Sequence, residues 1–228
     1  FSISEYSLSN PYDLATSSYT TKKLAAYPNL SDTFHTNWNN DGTKIYVGAE
    51  MQSGTTDRPR IVEFNVSTPY DISTMSTTPN TYITSINYIK NLTWNNDGTK
   101  MFASIDGSGI LEVTASTPYS LSGSTKITHS STSIVGTNDR LWGIDFNKTG
   151  TIAFIVQSQV TDDKIWKLEL STPYDLTTSS ITDTYITTDY DIDYPYSLTV
   201  ADDYLIIHGN TNQNGRAFTY FDSSVIGT

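Results

Sequence analysis

Short stretches in which apolar and polar residues alternate recur along this chain, each bounded by turn residues. Lys44-Ile45-Tyr46-Val47, Ile61-Val62-Glu63-Phe64 and Thr81-Tyr82-Ile83-Thr84 make one series. The next series reads as strand A over Asn91 to Trp94, B over Thr99 to Ser104, C over Ile110 to Ala115 and D around Ser124 to Thr128. Residues two apart share a strand face, so this alternation predicts short β-strands with a buried side. Asn95-Asn96-Asp97-Gly98 predicts a tight A–B hairpin, since Asp-Gly tolerates the positive φ such turns demand. Asp106-Gly107-Ser108-Gly109 turns B into C. Thr117-Pro118-Tyr119 turns C into D, with proline suited to the second turn position. No stretch holds a helical period with caps, so no helix is expected.

The turn phrases repeat. Asn10-Pro11-Tyr12-Asp13-Leu14 returns as Thr68-Pro69-Tyr70-Asp71-Ile72, Thr117-Pro118-Tyr119-Ser120-Leu121 and Thr172-Pro173-Tyr174-Asp175-Leu176, with prolines 58, 49 and 55 residues apart. Trp38-Asn39-Asn40-Asp41-Gly42-Thr43-Lys44 returns as Trp94-Asn95-Asn96-Asp97-Gly98-Thr99-Lys100. It recurs, worn, as Phe146-Asn147-Lys148-Thr149-Gly150-Thr151 and faintly as Val200-Ala201-Asp202-Asp203, at spacings of 56, 52 and 54. Four short antiparallel strands in a unit of about 53 residues predict a β-propeller blade. The expected fold is therefore all-β, a propeller of four blades with four strands each. Residues 1–228 are read as one domain, with blades near 31–86, 87–138, 139–189 and 190–228 plus 1–30. Phe1 to Leu8 reads as a C strand followed by a D, and Arg216 to Asp222 as a final C. The N-terminal D strand is expected to complete the last blade, which leaves one C-like strand surplus.

Composition narrows the function classes. Hydrophobic residues make up 36% and charged residues 16%, so Ser, Thr and Asn fill much of the difference, as in β-rich outer-surface proteins. Sixteen tyrosines favour packing with the ring buried and the hydroxyl wet. The formal net charge of −11 repels phosphate backbones and argues against nucleic-acid binding. The longest apolar run, Ile152 to Val156, is too short to span a bilayer, so membrane insertion is not expected. Without cysteine there is no disulfide frame to report a redox compartment. A start at Phe1 fits processing or a segment of a longer polypeptide or multimeric assembly.

The unit Trp94-Asn95-Asn96-Asp97-Gly98-Thr99-Lys100-Met101-Phe102, with Ile45-Tyr46-Val47 in the first copy, resembles the hairpin of YVTN-type and lactonase-like propellers. The Ser-Thr-Pro-Tyr-Asp-Leu turn is similar to propeller repeats of secreted, surface and phage-structural proteins of aquatic bacteria. The resemblance covers nearly the whole chain. It implies a non-enzymatic display or adhesion module, located outside the cell, on a cell surface or on a virion, with a glycan or protein partner. The alternative it carries is a metal-dependent, lactonase-like hydrolase.

In a propeller the A–B and C–D turns share one face, and the D–A and B–C loops share the other. The near-constant turns read as structural. The variable loops read as the binding face, because loops on a rigid scaffold carry recognition. Six residues before each A–B anchor stand Asp32, Tyr88, Arg140 and Tyr194; four before stand Phe34, Lys90, Trp142 and Tyr196. Unlike residues at equivalent positions would make an asymmetric aromatic and charged rim. His35, three before Trp38, joins the candidates, as do Arg58 and Arg60 of the longest B–C loop.

Metal chemistry has one candidate. Asp189, Asp191 and Asp193 alternate, so three carboxylates would share a strand face and suit a structural Ca²⁺. The competing reading is a solvated acidic edge that discourages strand pairing. No cofactor is otherwise expected. The hydrolase alternative needs an acid cluster near the starts of the A strands, for which Asp32, Asp139, Asp145 and Asp193 are the candidates. The three histidines lack metal-motif spacing, and no nucleophile elbow, phosphate loop or dinucleotide fingerprint is present.

Overall fold

The structure is a computed structural model, and it describes residues 2–10, 14–25, 32–50, 61–83, 89–105, 107, 109–137, 140–158, 163–186, 194–201, 204–210 and 216–221. The chain packs as two compact units, Phe1–Ser85 and Ile86–Thr228.

The first unit opens with a hairpin of β1 (Ser2–Leu8) and β2 (Ser17–Ala25). A four-stranded antiparallel sheet follows: β3 (Asp32–Trp38), β4 (Lys44–Glu50), β5 (Ile61–Asn65) and β6 (Thr81–Ile83). Its core gathers Ile45, Val47, Val62, Phe64, Val66 and Met75.

The second unit holds two more four-stranded sheets. One is β7 (Ile89–Trp94), β8 (Lys100–Ile105), β9 (Gly109–Thr114) and β10 (Thr125–His129). The next is β11 (Leu141–Phe146), β12 (Ile152–Gln157), β13 (Lys164–Leu170) and β14 (Ser179–Ile186). Each is a meander in chain order, the A-B-C-D pattern expected from the sequence. A three-stranded A-B-C sheet ends the unit: β15 (Tyr194–Ala201), β16 (Tyr204–Asn210) and β17 (Arg216–Phe221).

The apolar run Ile152 to Val156 is explained by burial on both faces. Ala153 and Ile155 enter one core with Phe102, Ile110, Ile144 and Leu168. Phe154 and Val156 enter another with Leu198, Leu205 and Ile207. A strand sandwiched between neighbours is apolar at every position rather than alternately.

Two expectations are corrected. A short helix, α1 (Ser131–Val135), lies in the connection from β10 to β11 and buries Ile134 and Val135. Ser130 caps its N-terminus through the backbone of Ser133, and Gly136 ends it at φ 77°. Those two residues were the legible signal, obscured by the helix having only five residues. The A–B hairpin is also looser than a two-residue turn. Asn39 accepts from the Gly42 N–H and donates its own to the Lys44 carbonyl, so only Gly42 takes positive φ, at 71°.

The two repeated turns form one clamp. In the Thr68-Pro69-Tyr70-Asp71 turn Asp71 N–H donates to the Thr68 carbonyl at 3.0 Å, and Tyr70 sits at φ 60°. Tyr119 and Tyr174 repeat this at 57° and 55°. Positive φ is costly for a bulky side chain and persists only where surroundings fix it. Three contacts fix it here. Tyr70 N–H donates to the Gly42 carbonyl at 3.0 Å, its hydroxyl donates to the Asn40 carbonyl at 2.5 Å, and its ring lies 5.5 Å from Trp38. Tyr119 repeats the set on Gly98, Asn96 and Trp94, and Tyr174 on Gly150, Lys148 and Phe146. A Cβ on any of these glycines would land on the tyrosine ring. The following aspartate caps a single 3-10 turn: Asp71 accepts from Ser73 N–H, and Asp175 from Thr177 N–H. Where Ser120 replaces the aspartate, no such helical turn forms.

Candidate functional site

The site grows from a defect shared by all four A strands. The A–B ladder shifts register between Thr33 and His35, between Ile89 and Asn91, between Leu141 and Gly143, and between Pro195 and Ser197. The residues left over are Phe34, Lys90, Trp142 and Tyr196, the four-before-anchor set. A bulge leaves its extra residue unpaired, bends the strand and re-aims the side chain. The rim is thus built by the backbone, at the same place in every copy, while the side chain at that place changes.

In the second unit three of these residues meet. Lys90 Nζ stands 4.8 Å from the centroid of the Trp142 ring, a cation–π contact. Trp142 and Tyr196 lie 5.4 Å apart at 35°. Tyr196 continues to His208 on β16, at 6.1 Å. All four are partly exposed. Trp142 is held from below, where its carbonyl accepts from Ser104 Oγ at 2.9 Å. Its Nε1 is buried with no acceptor among the described residues. Gly143 lets β11 and β15 approach: a Cβ there would stand 3.2 Å from Leu198 N.

The A strands are tied together beneath the row. Asn91 Oδ1 accepts the buried Ile144 N–H at 3.1 Å. One carboxylate does more. Asp145 accepts from Thr93 Oγ1 on β7 at 2.8 Å, from Val200 N–H on β15 at 2.9 Å and from Phe146 N–H at 2.9 Å. Burial pushes its pKa above the usual aspartate value, and the three donors pull the other way. Asp145 staples three neighbouring A strands, so this one of the four carboxylates named for hydrolysis is committed to structure.

The other candidates distribute as follows. Arg140 is exposed just before β11, where its carbonyl accepts from Ser158 N–H at 3.1 Å. Tyr194 is 45% exposed and pairs in register with Asn210. Asp32 and His35 lie on β3 of the first unit, opposite Glu50 and Gly48. Burial lowers the His35 pKa to about 4, so its imidazole is neutral at pH 7. Arg58, Arg60, Tyr88, Asp139, Asp189, Asp191 and Asp193 lie outside the described residues. Among the described residues, no three His, Asp or Glu side chains group to hold a metal ion, and no helix is long and apolar enough to cross a membrane. Sequence reasoning missed His208 and the staple by Asp145. His208 sits on a B strand, and the counting that found the rim ran only along A strands.

No protein-family model matches the chain, and no curated protein matches it in sequence. Solved structures do. It is similar to a candidate 6-phosphogluconolactonase from Bacteroides fragilis, with 12% identity, a TM-score of 0.55 and 97% of this chain aligned to 64% of that one. A second from Bacteroides uniformis gives 12% identity, a TM-score of 0.56 and the same coverages. The β-propeller domain of Cps50 (Swd1) from Myceliophteria thermophila gives 10%, a TM-score of 0.51, and 93% of this chain on 65% of that one. The fold is a β-propeller. The chain spans about two-thirds of the length of these structures, and at such identity the likeness concerns fold alone.

Proposed function

We propose that this propeller is a non-enzymatic binding module that recognises a glycan through the row Lys90, Trp142 and Tyr196. The observation that carries the reading is the repeated bulge, which offers a different side chain from the same backbone position in successive A strands. Aromatic rings with polar edges suit the apolar faces of sugars, and a few convergent polar groups then fix orientation. His208, 6.1 Å from Tyr196, supplies one such polar group at the end of the row. The count of four blades belongs to the same proposal and is supported by the four A–B pairs along the chain.

The Ser-, Thr-, Asn- and Tyr-rich composition supports a location outside the cell, on a cell surface or virion. Display in many copies would turn weak single-site contacts into avidity. Of the four aspartates named for the hydrolase alternative, Asp145 gives it no support, because that carboxylate is spent on hydrogen bonds.

A glycan array probed with the purified chain tests the proposal. Binding is expected, with a loss of about tenfold or more in Trp142→Ala and in Tyr196→Ala. Tyr6→Ala, on the β1–β2 hairpin, should bind as the parent does. An array without signal, alongside capture of a protein partner, would overturn the glycan reading. So would full affinity in both aromatic variants.

A further inference from the structure

We infer that Asn65 is an N-glycosylation site, the asparagine on which the folded chain carries an oligosaccharide. Four Asn-x-Ser/Thr tripeptides stand in the sequence: Asn29-Leu30-Ser31, Asn65-Val66-Ser67, Asn91-Leu92-Thr93 and Asn147-Lys148-Thr149. Such a tripeptide serves only where its amide stays at the surface after folding, because a core has no room for a hydrated sugar chain. Asn29 lies outside the described residues. The fold separates the other three.

Asn91 is 1% exposed, and its Oδ1 accepts the Ile144 N–H at 3.1 Å. Asn147 commits both ends of its amide to the turn it begins: Oδ1 accepts the Ile152 N–H at 3.0 Å, and Nδ2 donates to Thr151 Oγ1 at 3.4 Å. Asn65 differs from both. It is exposed at the last position of β5, and its side chain makes no hydrogen bond among the described residues. Exposure belongs to the position rather than to the residue. Thr114 and Glu169 face Lys100 and Ile152 as Asn65 faces Lys44, and both are exposed. Val66 is 3% exposed and anchors the tripeptide, while Ser67 returns to the surface.

In the transfer, Nδ2 of Asn65 bonds to the anomeric carbon of an oligosaccharide carried on a lipid diphosphate. The bond from that carbon to the diphosphate oxygen breaks, the lipid diphosphate leaves with the electron pair, and Nδ2 gives up one of its two protons. The fold loses no hydrogen bond in the exchange. Asn65 stands four residues along β5 from Ile61, which pairs with Gly48, the partner of His35 beside the A-strand bulge. At roughly 3.3 Å per residue that is about 13 Å, so the glycan leaves from the turn end of the sheet and the bulge end stays open.

The test is secretion of the chain from cells that carry out N-glycosylation, followed by site mapping. Peptide:N-glycosidase in heavy-oxygen water labels each asparagine that bore a glycan. Label at Asn65, with none at Asn91 or Asn147, is expected in the folded, secreted protein. Asn65→Gln should abolish it, and so should Ser67→Ala, which leaves Asn65 in place. Neither should lower Tm, since Ser67 Oγ makes only one long hydrogen bond, 3.4 Å to the Thr74 carbonyl. A folded, secreted chain without label at Asn65 would overturn the assignment. So would label at the buried Asn91 in a chain that melts as the parent does, or label at Asn65 that survives Ser67→Ala.

Discussion

Replacing Gly98 with alanine should destabilise the protein by roughly 2–4 kcal/mol, through a mechanism that a second substitution can isolate. Gly98 sits at φ 69°, where an L-residue pays about 1–2 kcal/mol. The new Cβ would also land on the Tyr119 ring, which packs 5.4 Å from Trp94 and donates through its hydroxyl to the Asn96 carbonyl at 2.8 Å. Driving the ring away loses an aromatic pair worth about 0.5–1.5 kcal/mol. It also loses a hydrogen bond worth about 0.5–1.5 kcal/mol. Part of this returns, because a displaced Tyr119 can leave its own strained φ of 57°. In a Tyr119→Gly background there is no ring to displace and the cost should fall to the backbone part, about 1–2 kcal/mol. Urea unfolding of the four proteins, followed by Trp fluorescence and by far-ultraviolet circular dichroism, closes the cycle. Equal cost of Gly98→Ala with and without Tyr119 would refute the clamp.

Four further outcomes are expected. Lys44→Met should cost about 3 kcal/mol, since it removes the cation 2.8 Å from Oε1 of the fully buried Glu63 carboxylate and leaves the neutral Asn80 Nδ2 donor at 2.6 Å; adding Glu63→Leu should recover much of that in urea melts. His35 is neutral in the fold down to about pH 4 but protonates near 6.5 when unfolded, so its contribution is complete above pH 6.5 and lost as the pH falls toward 4. His35→Gln should flatten the stability curve in that window. Asp41, Asp97 and Asp175 are held below the usual aspartate pKa chiefly by hydroxyls of Thr43, Thr99 and Thr177, so stability should fall further as the pH drops below about 4, less steeply in the triple Asn variant. EDTA should leave Tm unchanged, and a drop of more than a few degrees would reveal a bound structural ion.

The sequence by itself determined the repeat, the strand order within the three four-stranded sheets and the boundaries of most of their strands. These follow from local chemistry: period-2 alternation, Asp-Gly and Pro-Tyr turns, and their regular return. It also determined which residues stand four before each anchor, because a repeat numbers equivalent positions without any coordinates. Tertiary structure alone decided what those positions do. The bulge is a mismatch between two strands, invisible in either one, and the meeting of Lys90 with Trp142 joins residues 52 apart in the chain. The clamp was equally hidden: each turn is explicable by its own residues, and only packing puts the Tyr119 ring on Gly98. Asp145 shows the same division. Its sequence position suggested an acid near a site, but its three donors come from Thr93, Phe146 and Val200, and a carboxylate surrounded by donors is a structural joint rather than a reactive group. Local rules fix the elements, whereas the chemistry of a side chain is set by partners that distant parts of the chain bring to it.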